Sequence, residues 1–182
     1  LLDETEIVLV TFPRSGSFFL NNLLLENSSL KVTKTHLPEL DKSKRIVTIA
    51  RNPQDTIVSY LAMLSEYRSE IDYEKTAEQL VLDYVENYKY FNQYCSIVVD
   101  FDNLVSNPAD TLASILDLFG IAPAKFINTN VNQKDMVNLE HLSSSKSSNN
   151  YSKAVEACSN INFADAIMLF EQLQRKSCNG RY

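Results

Sequence analysis

Apolar positions along this chain alternate between two spacings. Ile7–Thr11, Lys31–His36, Arg45–Ala50 and Ser96–Asp100 are short runs rich in β-branched residues, the pattern of strands. The first and third are apolar enough to lie centrally in a sheet. Between them the spacing becomes helical. Leu20, Leu23 and Leu24 predict a helix from Ser15 or Gly16 to about Glu26, and Ile57, Val58, Leu61 and Leu64 predict a second. A longer stripe (Ala77, Leu80, Val81, Tyr84, Val85, Tyr88 and Phe91) predicts a third, its aromatics read as core. Leu112, Ile115, Leu116 and Phe119 mark a fourth, and Phe163 to about Lys176 a final one.

The punctuation supports these elements. Asn52-Pro53-Gln54-Asp55 is a helix start: a capping side chain, a proline at the first helical position, an acid for the dipole. Asn107-Pro108 begins another helix, and Gly120 closes it. Asn27–Ser29 is a turn, Pro38 stops the second strand, and Asp41–Arg45 is a charged connector. The Ser/Asn-rich tract Ser143–Ser152 is expected to be a mobile loop. Strands alternating with helices predict an α/β fold, a three-layer arrangement with a mostly parallel central sheet flanked by helices. With no internal repeat, residues 1–182 are expected to form a single domain.

Composition narrows the function. The chain has 182 residues, 45% hydrophobic and 22% charged, enough to bury a core. A net charge of −6 argues against a general nucleic-acid binder. No apolar run is long enough to span a bilayer, and the acidic opening Leu1–Glu6 has no signal-peptide pattern. Cys95, Cys158 and Cys178 are widely spaced and form no metal-like cluster, so free buried thiols in a reducing, cytoplasmic setting are expected. Up to Tyr60 seven Lys/Arg balance seven Asp/Glu, so the acidic excess belongs to the rest of the chain.

The cations sit where the chemistry is. Val8–Leu20 reads as strand, tight loop, helix, with Pro13, Arg14, Ser15, Gly16 and Ser17 in the loop. Such a loop aims backbone N–H groups and the positive end of a helix dipole at one point, which suits a phosphate-like anion. It lacks the spacing of a Walker A loop. The next strand ends deliver Lys34-Thr35-His36 and Arg51 to the same sheet edge. There the cations need an anionic ligand to offset their mutual repulsion. Singly, each could be a solvated strand-end charge or a structural histidine.

Three segments in order resemble the sulfotransferase family. Thr11-Phe-Pro-Arg-Ser-Gly-Ser17 is similar to its 5′-phosphosulfate loop, Lys34-Thr-His-Leu-Pro38 to its catalytic strand, and Arg51–Tyr60 to its 3′-phosphate segment. A softer fourth match covers Val98–Pro108 and the helix to Gly120. The resemblance spans roughly residues 7 to 120 and implies a P-loop NTPase-like sulfotransferase fold. It implies 3′-phosphoadenosine-5′-phosphosulfate (PAPS) as donor, adenosine 3′,5′-bisphosphate (PAP) as product, and a small-molecule or glycan acceptor, with no metal required. His36, Lys34 and Arg14 take the catalytic positions, His36 as general base. Arg14, Ser15, Gly16, Ser17, Phe18 and Phe19 line the donor site, Phe19 where the family stacks a tryptophan on adenine, and Arg51 and Ser59 face the 3′-phosphate.

Three departures stand out: arginine for lysine at 14, Phe18 for a hydroxyl residue, and no R-K-G…G-D-W-K segment near the C-terminus. Ser143–Lys153 is the local candidate to close the 3′-phosphate site. Two alternatives stay open. A P-loop kinase or NTPase would use Ile97–Asp100 as its metal-holding strand, and a non-catalytic module would bind PAP with His36 merely structural.

Overall fold

The computed structural model describes residues 6–36, 45–68, 70–121 and 149–177. Strands β1 (Glu6–Val10), β2 (Lys31–Thr35), β3 (Arg45–Ala50) and β4 (Ile97–Asp100) form one sheet in the order β2-β1-β3-β4. Every pairing is parallel. Successive residues on the inner strands point to opposite faces, and both faces are apolar, which requires helices on both sides.

On one face Ile7, Leu9, Val47, Ile49, Ile97 and Val99 pack against α1 (Ser17–Asn27), α4 (Phe101–Ser106) and α5 (Pro108–Leu118). On the other, Val10, Ile46, Ala50 and Val98 pack against α2 (Pro53–Tyr67) and α3 (Tyr73–Tyr94). Helices α6 (Asn149–Ser159) and α7 (Ala164–Lys176) complete that layer. The three-layer α/β architecture expected from the alternation of periods is the one observed. β2 is an edge strand, its Lys31, Thr33 and Lys34 exposed.

The caps follow their side chains. Asn52 accepts from the N–H groups of Gln54 and Asp55, with Pro53 opening α2. Gly120, at φ 69°, follows Phe119, the C-cap of α5, in the left-handed conformation expected of it.

One expectation is corrected, and one element is added to those expected. Residues 149–152, read as part of a mobile loop, open helix α6; the rest of that tract, 143–148, lies outside the described residues. Ala154, Ala157 and Cys158 of α6 are buried against α2 and α3, and this small-residue stripe outweighs the polar composition around it. Helix α4 was not foreseen, and it exists because Asp100 caps it by accepting from the Asn103 N–H at 2.9 Å. Pro38 and residues 41–44 of the charged connector also lie outside the described residues.

Candidate functional site

The β1–β3 ladder runs from Ile7 opposite Arg45 to Leu9 opposite Val47. Connections leave β1 toward β2 on one side and β3 toward β4 on the other, so the crevice between their carboxyl ends is a topological switch point. The loop after β1 enters this crevice. Arg14 has φ 69° and Gly16 φ 91°, a left-handed pair of corners that turns the chain sharply into α1. The first intrahelical bond, Leu20 N–H to Gly16 O, leaves the N–H groups of Ser17, Phe18 and Phe19 without helical acceptors. They form the positive end of an eleven-residue helix.

Gly16 is required twice over. Its φ disfavours a side chain, and a Cβ there would lie 2.7 Å from the Phe101 ring. Arginine at a positive φ is strained as well, typically by about 1–2 kcal/mol. A tether offsets that strain: Arg51 Nη1 donates to the Arg14 carbonyl at 2.5 Å. Arg14 Nε donates in turn to Ser59 Oγ at 3.2 Å. Ser59, two turns into α2, therefore faces back toward the loop.

Both guanidiniums are partly buried and held below the ordinary arginine pKa. For Arg14 the causes are burial and then the charge of Arg51, partly opposed by Glu66 and Tyr67. For Arg51 burial dominates, with Asp55, Asp102 and Tyr151 pulling the other way. Arginine stays protonated regardless, so the consequence is an electropositive crevice suited to an anion. The Arg51 guanidinium also lies over the Phe101 ring, 4.4 Å from its centroid. Phe101 thus touches both the loop glycine and the β3 cation.

His36 stands just beyond β2, with Nδ1 2.7 Å from the Thr11 carbonyl oxygen. A carbonyl can only accept, so Nδ1 carries the proton, and in the neutral ring Nε2 is left with its lone pair. Lys34 is exposed, its Nζ 5.7 Å from the centroid of the exposed Phe18 ring.

Not every expected side chain faces outward. Ser15 is fully buried; its hydroxyl donates to the Phe12 carbonyl at 2.8 Å and lies 3.2 Å from the Tyr88 hydroxyl. It shapes the loop from beneath. Ser17 is buried as the first residue of α1. Phe19 is half-buried against the α1-side core, a more enclosed position than a free stacking surface.

Asp100, the candidate metal carboxylate of the kinase alternative, uses both oxygens internally. One caps α4, and the other accepts from Gln174 Nε2 at 2.9 Å. Among the described residues no group of three or more His, Cys, Asp or Glu side chains could hold a metal, and no helix is long and apolar enough to cross a membrane.

Sequence reasoning missed Phe101, Tyr84 and Tyr88 as supports of this site. The readable signal lay in tyrosine, rather than phenylalanine, at two buried positions one turn apart, since a buried phenol needs a partner.

The sheet order β2-β1-β3-β4, the tight loop at the switch point and the cations gathered beside it define a parallel α/β fold with an electropositive crevice. The family model "Sulfotransferase domain" matches residues 21–167, and the chain belongs to the sulfotransferase family, the EC 2.8.2 class of transferases. Lys34, His36, Arg51 and Ser59 fall inside the matched span, and the anion loop lies just before it. Among solved structures, mouse sulfotransferase SULT7A1 complexed with PAP shares the fold, with a TM-score of 0.51 and 17% sequence identity. That likeness covers 98% of this chain and 88% of the mouse chain. No curated protein matches the sequence.

Proposed function

We propose that this protein transfers a sulfuryl group from PAPS to a hydroxyl or amine of a small-molecule or glycan acceptor, by in-line displacement. The observation that carries this reading is the Thr11 carbonyl's hold on His36 Nδ1, which turns Nε2 into an acceptor beside the anion loop. The family membership supports the reaction class, and the PAP bound to the mouse structure supports the nucleotide.

In this scheme the acceptor oxygen or nitrogen attacks sulfur as the bond from sulfur to the bridging 5′-phosphate oxygen breaks. The acceptor proton passes to His36 Nε2, a transfer that typically contributes ~10²–10⁴-fold. Negative charge grows on the leaving phosphate, where Arg14, Lys34 and the N–H groups of Ser17, Phe18 and Phe19 offer fixed donors. Arg51 and Ser59 take the 3′-phosphate, and this second anchor separates PAPS from ATP. Ser15 contributes through the loop's shape, since its hydroxyl is committed inside.

Thermal shift against PAP and against Mg-ATP tests the proposal, followed by transfer of labelled sulfate from PAPS to an acceptor panel. At about 100 times Kd, PAP should add ~2.7 kcal/mol of stability, which for a chain of this size raises Tm by roughly 5–10 °C. A response to Mg-ATP with none to PAP would overturn it.

A further inference from the structure

Beyond Leu9 the two central strands part. β1 turns into the anion loop, while β3 goes on pairing with β4 as far as Ala50 opposite Asp100. Helix α3 fills the opening with two tyrosines. Tyr88 is fully buried; its hydroxyl donates to the Ile49 carbonyl at 2.5 Å and lies 3.2 Å from Ser15 Oγ. One turn earlier the Tyr84 hydroxyl donates to the Arg51 carbonyl at 2.8 Å. Packing alone does not call for these hydroxyls, because phenylalanine would fill the same space without a polar group to desolvate.

The protons can be counted. Tyr88 and Ser15 have two hydroxyl hydrogens for three contacts: Ile49 O, Phe12 O and each other. The shorter Tyr88 bond keeps its hydrogen on Ile49. The Ser15 hydroxyl hydrogen is then shared in a three-centre bond between the Phe12 carbonyl at 2.8 Å, which the Ser15 N–H also reaches at 3.3 Å, and the Tyr88 oxygen at 3.2 Å. The loop is thereby linked to β3 through side chains just where the backbone ladder has ended. A circuit closes through Arg51: its carbonyl rests on Tyr84, its side chain holds the Arg14 carbonyl, and Arg14 precedes Ser15.

We propose that Tyr88 and Ser15 are a positioning pair that sets the distance between the anion loop and Arg51. That distance is the span between the 5′- and 3′-phosphate groups of a bisphosphorylated nucleotide, so the inference rests on the donor-site reading above. Neither hydroxyl needs to touch the nucleotide. Their bonds keep its two anchors in register, and misplacement by about 1 Å at such a site can cost up to ~10²-fold.

The test is calorimetric titration of the full chain with PAP and with AMP, well below each variant's Tm, for the unsubstituted protein, Tyr88→Phe, Ser15→Ala and the double variant. AMP has only the 5′ group and is indifferent to the span. Each single substitution should weaken PAP by roughly tenfold while changing AMP by less than about threefold. The double variant should lose less than the two single losses combined, because the contact between the two hydroxyls is already gone in each single. A lowered Tm with an unchanged PAP-to-AMP ratio would overturn the inference and leave the pair a packing feature. If Tyr88→Phe does not fold, Ser15→Ala decides alone, since it breaks the contact without disturbing the aromatic core. Failure of the unsubstituted protein to bind PAP would remove the donor reading and this inference together.

Discussion

Arg51 donates from Nη1 to the backbone carbonyl of Arg14 at 2.5 Å, so the cation at the end of β3 braces the loop after β1 as well as facing its crevice. Arg51→Ala should therefore act in two ways. Loss of a charged hydrogen bond to the 3′-phosphate should weaken PAP by roughly ten- to a hundredfold. Loss of the brace should weaken AMP and ADP too, by only a few fold. Titration of the three nucleotides checks this, and equal losses for all three would make Arg51 a brace alone.

Gly16 tests the loop from the other side. Gly16→Ala forces a side chain into φ 91° and places its Cβ 2.7 Å from the Phe101 ring. Strain and overpacking together should cost about 2–4 kcal/mol, a drop of roughly 5–15 °C in Tm by calorimetry. Adding Phe101→Leu should recover the steric part, making the double variant more stable than the two single losses predict. Strict additivity would mean that Phe101 yields without resistance.

His36 has two nitrogens with separable jobs. Asparagine can reproduce the Nδ1 donor toward the Thr11 carbonyl but offers nothing at the place of Nε2. His36→Asn should thus leave PAP affinity within about threefold while transfer falls by ~10²–10⁴-fold. His36→Ala should lose transfer to the same degree and also release the Thr11 carbonyl. Comparable transfer rates in the unsubstituted protein and His36→Asn would sink the general-base assignment.

What could be read from the sequence was local, and what could not depended on packing. Asn52, Pro53 and Gly120 announce their roles because caps and left-handed corners are settled within a few residues. The anion loop was visible for the same reason. Helix α4 was hidden because six residues are too few to show a period, and Asp100 read as the end of a strand when it is also a cap. Helix α6 was hidden because Ala154, Ala157 and Cys158 carry little hydrophobic signal until α2 and α3 are laid beside them. The inward turn of Ser15 follows from the positive φ at Arg14, which nothing in an arginine announces. Tyr84 and Tyr88 were legible as core, but the carbonyls their hydroxyls reach are set by where β3 ends relative to α3.

The thiols make the alkaline limit of stability predictable. Burial raises Cys95 to about 12, against a smaller opposing pull from Lys176, and burial raises Cys158 to about 11. A thiol whose folded pKa lies above its unfolded value, about 8.5, binds its proton more tightly when folded. Its contribution is complete below the unfolded pKa and is lost as pH rises toward the folded one. Stability should therefore decline between roughly pH 9 and 12, each such thiol contributing up to ~1.4 kcal/mol per pH unit within its own window. Burial also pushes the Tyr84 and Tyr88 phenols upward, so they steepen the decline above about pH 10. Urea denaturation of the unsubstituted protein and Cys95→Ala at pH 7, 9 and 10 separates these contributions. Cys95→Ala should lose some stability at pH 7 through lost packing, yet show a flatter pH dependence above pH 9. Identical slopes in the two proteins would mean that the Cys95 thiolate is tolerated where the fold places it.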